Sequence, residues 1–262
     1  VICLAHGNEL LFNNKNKENR IKKTLNKVNT IVANSIFTKN LVQKLINSKL
    51  NITSIYPGGV DFNSFKSSKI LGIIGSPVLL TLARLEKRKG HIEIINSINK
   101  LIPEFPNIQY VIAGSGPELY NLKKIVKDKN LGKNILFVGV VNDLQKKFLF
   151  EKTNLMIMPT LDETENRSIE GFGIAYIEAA FFSIPSIASN IGGTPEAVID
   201  NLTGKILNNI DELFLSIREL LLDKNKINQL GKNAKERVTK EFNWNFISEK
   251  YLSLIDNINK IN

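Results

Sequence analysis

Two glutamates, Glu170 and Glu178, stand eight positions apart around the run Gly171-Phe172-Gly173-Ile174. A carboxylate only accepts hydrogen bonds, so it suits sugar hydroxyls. Glycines let the backbone approach a ligand, and the free N–H groups of a helix start favour anions. The combination suits a polyol carried on a phosphate better than a metal ion. Upstream lies a cationic run, Arg84-Leu85-Glu86-Lys87-Arg88-Lys89, closed by Gly90. Arg84 offers a planar fork and Lys89 a point charge, both matched to diphosphate oxygens. Lys87 and Arg88 read as solvated charges. On spacing alone, the two glutamates read equally well as a loop acid in water and an ordinary helix-surface acid.

Several other chemistries are disfavoured. His6, His91 and Cys3 are the whole supply of histidine and cysteine, too few for a zinc cluster or a Cys-His dyad. No G-x-x-x-x-G-K-[S/T] occurs, which removes a P-loop, and no Asp-x-Asp occurs to hold a divalent ion on a diphosphate. No G-x-G-x-x-G follows a first strand with an acid about 20 residues on, as a nicotinamide fold requires.

The elements that must position these residues alternate between strand and helix. Apolar runs at 78–83, 108–113, 135–138, 155–158 and 184–189 read as strands. Each leads into a glycine- or proline-marked turn and then a helical pattern, as at Ile92, Ile94, Ile95 and Ile98. Such βα units build parallel sheets, whose ligands bind at the carboxyl ends of the strands. The glutamate turn and the cationic run both fall at such ends.

In chain order the motifs read R-L-x-x-x-K-G at 84–90, G-x-G-P at 114–117, G-x-V at 139–141, E-x-F-G-x-x-x-x-E at 170–178 and G-G-x-x-E at 192–196. This series resembles the donor-binding lobe of the retaining, GT-B-fold glycosyltransferases of family 4, over roughly residues 76–250. A polar, acidic stretch at 162–168 departs from the family, which has a shorter loop there, and falls on the acceptor side of the cleft. The resemblance implies an α/β protein of the GT-B type: two Rossmann-like lobes with parallel sheets, the N-terminal one truncated. It implies transfer of a hexose from a nucleotide diphosphate sugar to a glycan or lipid-linked acceptor, in envelope polysaccharide synthesis, without cofactor or metal.

Roles follow residue by residue from the same resemblance. Arg84 and Lys89 neutralise the departing diphosphate, helped by the helix start near Gly173. Glu178 takes the ribose hydroxyls. Glu170 holds hydroxyls of the transferred sugar or stabilises its positive carbon. Phe172, Gly173 and Ile174 offer backbone N–H groups, Gly114, Gly116 and Val140 line the donor side, and His6 meets the sugar from the other lobe. The donor base is read as uridine first, with guanosine and adenosine behind it.

The composition agrees with a soluble α/β chain. Its 262 residues are 43% hydrophobic, enough for two modest cores. The longest apolar stretch, 174–187, is interrupted by Glu178 and Pro185 and too short to span a bilayer. No signal peptide is evident in residues 1–5, and one cysteine fits a cytoplasmic protein. The net charge of +10 is dispersed in Asn- and Lys-rich segments such as 13–27, without interleaved aromatics. It fits peripheral contact with an anionic membrane face or with sugar phosphates, and not nucleic acid.

Three segments are expected: a partial acceptor-side lobe at 1–66, a nucleotide-sugar-binding lobe at 67–242, and a C-terminal helix at 243–262 that returns to the first lobe. Residues 64–75 read as a polar, flexible linker, and the turn at 57–61 as the junction. Phe246, Tyr251, Leu254 and Ile258 read as the packing stripe of the last helix, with Trp244 also packed. The chain begins in what reads as a strand, without the βα units that would precede it, and so reads as part of a longer protein. Two other readings remain: a binding-only, inactive nucleotide-sugar module, and a related GT-B sugar epimerase or phosphorylase.

Overall fold

The computed structural model describes the chain except residues 13, 47–49, 61, 63 and 262. Asn13 and Asp61, at the ends of two segments singled out above, thus lie outside the described residues. Two parallel sheets organise the rest. The first holds β1 (Ile2–Ala5), β2 (Thr30–Ala33) and β3 (Asn51–Ser54) in that order. The second holds β4 (Val78–Leu82), β5 (Gln109–Ala113), β6 (Ile135–Gly139), β7 (Leu155–Met158), β8 (Ser186–Ser189) and β9 (Gly204–Leu207), in the order β6-β5-β4-β7-β8-β9.

Helices join the strands and follow the last of them. They are α1 (Lys15–Leu25), α2 (Ile36–Leu45), α3 (His91–Leu101), α4 (Leu119–Asp128), α5 (Asp143–Lys152), α6 (Ile174–Phe181), α7 (Thr194–Ala197), α8 (Leu213–Leu222), α9 (Lys224–Glu241) and α10 (Trp244–Ile261). The central strands are apolar on both sides because helices cover both faces of the sheet. Successive residues divide between the faces with the two-residue period of a strand. Leu80, Val111, Met156 and Ala188 pack with Phe150 of α5, Ile177 of α6 and Val238 of α9. Leu79, Ile112, Ile157 and Ile187 pack with Ile95 and Ile98 of α3, Leu122 of α4 and Ile217 of α8.

The first sheet has a core of its own, formed by Ala5, Leu10, Leu25, Ile31, Val42 and Ile46. Its other face is covered from far along the chain. Val32 and Ile55 meet Ile247, with Tyr251 and Leu254 packed beside them, so α10 returns to the first sheet. The stripe differs from the sequence expectation by one position. Ile247 is fully buried while Phe246 is 37% exposed, because a helix places positions 247, 251, 254 and 258 on one side. Trp244 is half-exposed, one part of its ring lying against Gly58.

The segment read as a flexible linker is anchored to the second sheet's domain. Phe65, Ile70 and Ile73 pack against its core. Gln109 accepts from the backbone N–H of Ile74 and Gly75, each at 3.0 Å, and donates to the Gly72 carbonyl at 2.8 Å. Lys147 donates to the carbonyls of Phe62 and Phe65. The serines and lysines suggest a free linker, but Phe65, Ile70 and Ile73 among them are enough to dock it. Among the described residues, no helix is long and apolar enough to cross a membrane.

Candidate active site

The strand order of the second sheet reverses between β4 and β7, and crossovers leaving these neighbours run in opposite directions. That switch point opens a crevice at the carboxyl ends of both strands. The cationic run follows β4 and the glutamate turn follows β7, so the sheet brings together groups some 80 residues apart in sequence, as in the pairs Lys89–Glu170 and Arg88–Glu170.

The cationic run folds as a single tight turn, after which Gly90 adopts φ 66° with Pro159 against its α-carbon. A side chain there would meet both a left-handed backbone and the Pro159 carbonyl. The turn buries two of its cations. Lys89 donates to Glu170 and lies 3.4 Å from the Met158 sulfur. Arg88, read from sequence as solvated, instead has a side chain only 11% exposed and pairs with Glu170 at 2.9 Å and Glu86 at 3.2 Å. The tightness of the turn corrects that reading, since it points adjacent residues 88 and 89 into the same crevice. Lys87 does project into solvent. Arg84 is 75% exposed and touches Glu86 at 3.3 Å.

Burial alone would raise the Glu170 carboxyl, but Lys89 and Arg88 outweigh it and hold it below the usual carboxylate range. Burial pulls the Lys89 ammonium down, Glu170 opposes this, and Arg88 adds to it. Arg84, Arg88 and Lys89 thus share Glu86 and Glu170, three cations to two carboxylates, which leaves positive charge for an incoming anion. Gly173 starts α6 with φ 103°. Ile174 and Ala175, which open α6, line this same crevice with His6, Asn34, Arg88, Lys89, Glu170 and Gly173 among others, and it measures about 450 Å³. The free N–H groups of a helix start favour anions.

His6 reaches the crevice from the turn after β1, held by its N–H to Glu9 and by Asn34 donating to its carbonyl at 3.3 Å. The two lobes approach closely here, for a side chain at Gly171 would collide with the His6 carbonyl. Asn34, which the sequence reading did not single out, has a buried side-chain oxygen with no partner among the described residues. Phe172 is buried, its ring stacked on Tyr56 at 5.2 Å, while Gly173 and Ile174 line the opening.

Glu178 lies one crevice further, a space of about 440 Å³ lined by Arg84, Gly114, Val140, Lys146 and Glu178 among others. The two spaces share Leu82, Ala83, Ile174 and Ala175 in their walls. The four charged residues singled out from the sequence occupy two adjoining spaces, Lys89 and Glu170 in the first, Arg84 and Glu178 in the second. Burial raises the Glu178 carboxyl, and Lys146, 3.0 Å away, opposes that rise. Gly116 lies outside the lining, packed on the backbone of Leu85, where a side chain would clash. Its smallness is what the close approach of the turn to Leu85 requires. No described group of three His, Cys, Asp or Glu side chains could hold a metal ion.

Comparison with known proteins places this geometry. The model of the glycosyl transferases group 1 family matches residues 64–237. The chain is 28% identical over 204 residues to a GDP-mannose-dependent alpha-(1-6)-phosphatidylinositol monomannoside mannosyltransferase of Mycobacterium tuberculosis, covering 74% of this chain and 53% of that one. It thus spans about half the length of that relative. Sucrose-phosphate synthase from Thermosynechococcus elongatus superposes with a TM-score of 0.82 at 21% identity, covering 100% of this chain and 68% of that one. Anabaena HepE, solved with UDP and glucose, superposes with a TM-score of 0.83 at 20% identity, covering 97% and 71%. The two parallel sheets with their helices are therefore of the GT-B type, and the chain belongs to the glycosyl transferases group 1 family.

Proposed function

We propose that this chain supplies the donor-binding machinery of a retaining hexosyltransferase of family 4, which moves a hexose from a nucleotide diphosphate sugar to a glycan or lipid-linked acceptor in envelope polysaccharide synthesis. The observation that carries this reading is the convergence of buried Lys89 and Arg88 on Glu170, beside the N-terminus of α6 and below the switch point. Breaking the sugar–phosphate bond leaves a diphosphate whose charge grows as an oxocarbenium-like carbon develops. Fixed cations and oriented N–H groups stabilise that charge without reorganising. Lys89, Arg88 and the start of α6 take this role, and exposed Arg84 closes over the diphosphate from outside.

Glu170 turns to the sugar hydroxyls or the positive carbon once phosphate oxygens take over its cations. Glu178 accepts from the ribose, Gly114 and Val140 flank the nucleoside, and His6 with Asn34 meets the sugar from the first lobe. The charge is met by protein groups, so a catalytic metal is not required. The mannosyltransferase relative supports a guanosine donor and HepE a uridine one. Uridine is ranked first and adenosine last. The basic surplus supports peripheral contact with an anionic membrane on the cytoplasmic side.

Calorimetric titration of UDP, GDP and ADP, with and without chelator, tests the reading. One nucleotide binds with chelator-independent affinity, and Lys89→Met weakens it at least about tenfold, as expected for a lost charge-assisted bond. Hydrolysis of the matching labelled nucleotide sugar then reports turnover. Unchanged affinity in Lys89→Met, or dependence on a divalent ion, would overturn the assignment.

A further inference from the structure

Lys146 sits where a surface lysine would not. It belongs to the first turn of α5, opened by Asn142, whose side chain accepts from the Gln145 N–H. Positions 149 and 150 of the same helix are buried in the core as Leu149 and Phe150. Residue 146 precedes them by three and four, so it shares their inward side. The side chain is accordingly only 18% exposed. Its ammonium lies 3.0 Å from Oε1 of Glu178, 3.0 Å from Asp143 and 5.6 Å over the Phe62 ring. It also lines the second crevice with Glu178.

We propose that Lys146 is a positioning residue for the nucleotide, holding Glu178 through one oxygen and leaving its remaining acceptor capacity for a ribose hydroxyl. This rests on the reading of Glu178 as the ribose ligand. A buried carboxylate carries a desolvation cost that a nearby cation offsets. A carboxylate oxygen has room for more than one donor, so the lysine and a hydroxyl share the group without competing for the same lone pair. The ammonium also fixes the rotamer, which otherwise would have to be ordered when nucleotide arrives.

The charged groups facing Glu178 are Lys146 and Asp143 from α5, with Arg84 from the loop after β4 along the same crevice wall. Asp143 is half-exposed and opposes Lys146, and Arg84 projects into solvent, so Lys146 is the main group keeping the carboxylate ionised. Without Lys146, the raised carboxyl of Glu178 rises further and takes up its proton at a pH where the native residue is charged. A carboxylic acid is a poorer acceptor for a ribose hydroxyl than a carboxylate.

The test is calorimetric titration of UDP and GDP onto the full chain at several pH values, comparing the native protein, Lys146→Met, Glu178→Gln and the double variant. Methionine keeps the apolar stem against Phe62, and near-ultraviolet circular dichroism confirms an intact fold. Lys146→Met should weaken nucleotide binding several-fold more at about pH 6 than at about pH 8.5, relative to the native chain, because a buried carboxyl that has lost its cation takes up its proton sooner on acidification. The diphosphate's own last ionisation affects every variant and cancels in that comparison.

Glu178→Gln should abolish the added pH dependence, and Lys146→Met should cost nothing further in that background. If Lys146→Met binds as the native chain does at every pH while Glu178→Gln is weakened, the positioning role fails and the donor reading stands. If Glu178→Gln itself binds normally, the ribose assignment fails. A pH-independent loss in Lys146→Met that persists in the glutamine background would make the lysine a direct ligand instead, and overturn the proposal.

Discussion

His91 begins α3 directly behind the cationic turn, yet it faces the sheet rather than the crevice. Its Nδ1 lies 2.9 Å from the Tyr110 hydroxyl, which lies 2.8 Å from Thr81, itself bonded to the Ile157 carbonyl. This buried chain links three neighbouring strands and the helix behind the cationic turn. Burial, with Lys89 nearby, pushes the imidazole from its ordinary 6.5 down to about 4. The ring is thus neutral in the folded chain at neutral pH, while the unfolded chain binds its proton more readily. The stability that His91 contributes is complete above about 6.5 and is lost as pH falls toward about 4. The difference amounts to about 3 kcal/mol over that window. Urea denaturation of the native chain and His91→Gln between these pH values should show the native stability falling faster on acidification. Parallel pH profiles for the two proteins would refute it.

At the scale of elements, Glu196 joins parts that the sequence keeps 160 residues apart. It sits in α7 and accepts from the N–H groups of Ile36 and Phe37, both at 2.7 Å, at the start of α2. Ser35 takes the Thr38 N–H, so three of the four free donors of that helix end are satisfied. Arg237 donates to the carbonyls of Glu196 and Ala197, holding α7 from behind. Glu196→Ala should speed amide exchange at Ile36 and Phe37 and cost about 1–2 kcal/mol of stability, the scale of a lost cap. Unchanged exchange at both amides would rule this out. A cap such as Ser35 needs only a local residue type, and the strands with both faces buried were legible from their continuous apolar runs. Glu196 as a cap was not legible, because its partner is fixed by how the sheets meet. Arg88 and Lys146 escaped for related reasons. The first looks like part of a charge run until the turn is known to be tight, whereas a cation three and four positions before two core residues of α5 was a readable sign of the second.

For the whole molecule, the motifs were legible in order and spacing, whereas the division of their charges between two adjoining crevices depended on the sheet. The return of α10 to the first sheet has a further consequence. The polypeptide passes between the lobes once through the segment before β4 and again between Phe242 and Trp244, so the two lobes and their connections form a closed circuit. Two tethers permit rocking about the line that joins them and oppose free swivelling. They also make one of them dispensable for cohesion, since the second keeps its partner surfaces at high local concentration. A specific protease site placed between exposed Lys66 and Ser67 should therefore give a nicked protein whose pieces co-elute in gel filtration and separate only in denaturant. Truncating Ile247 to alanine should weaken that hold, because an emptied buried site costs about 2–5 kcal/mol. Separation of the nicked native protein under native conditions would show that the helix does not hold the circuit closed. Any opening that admits substrate then resembles a book held at its spine more than two beads on a string.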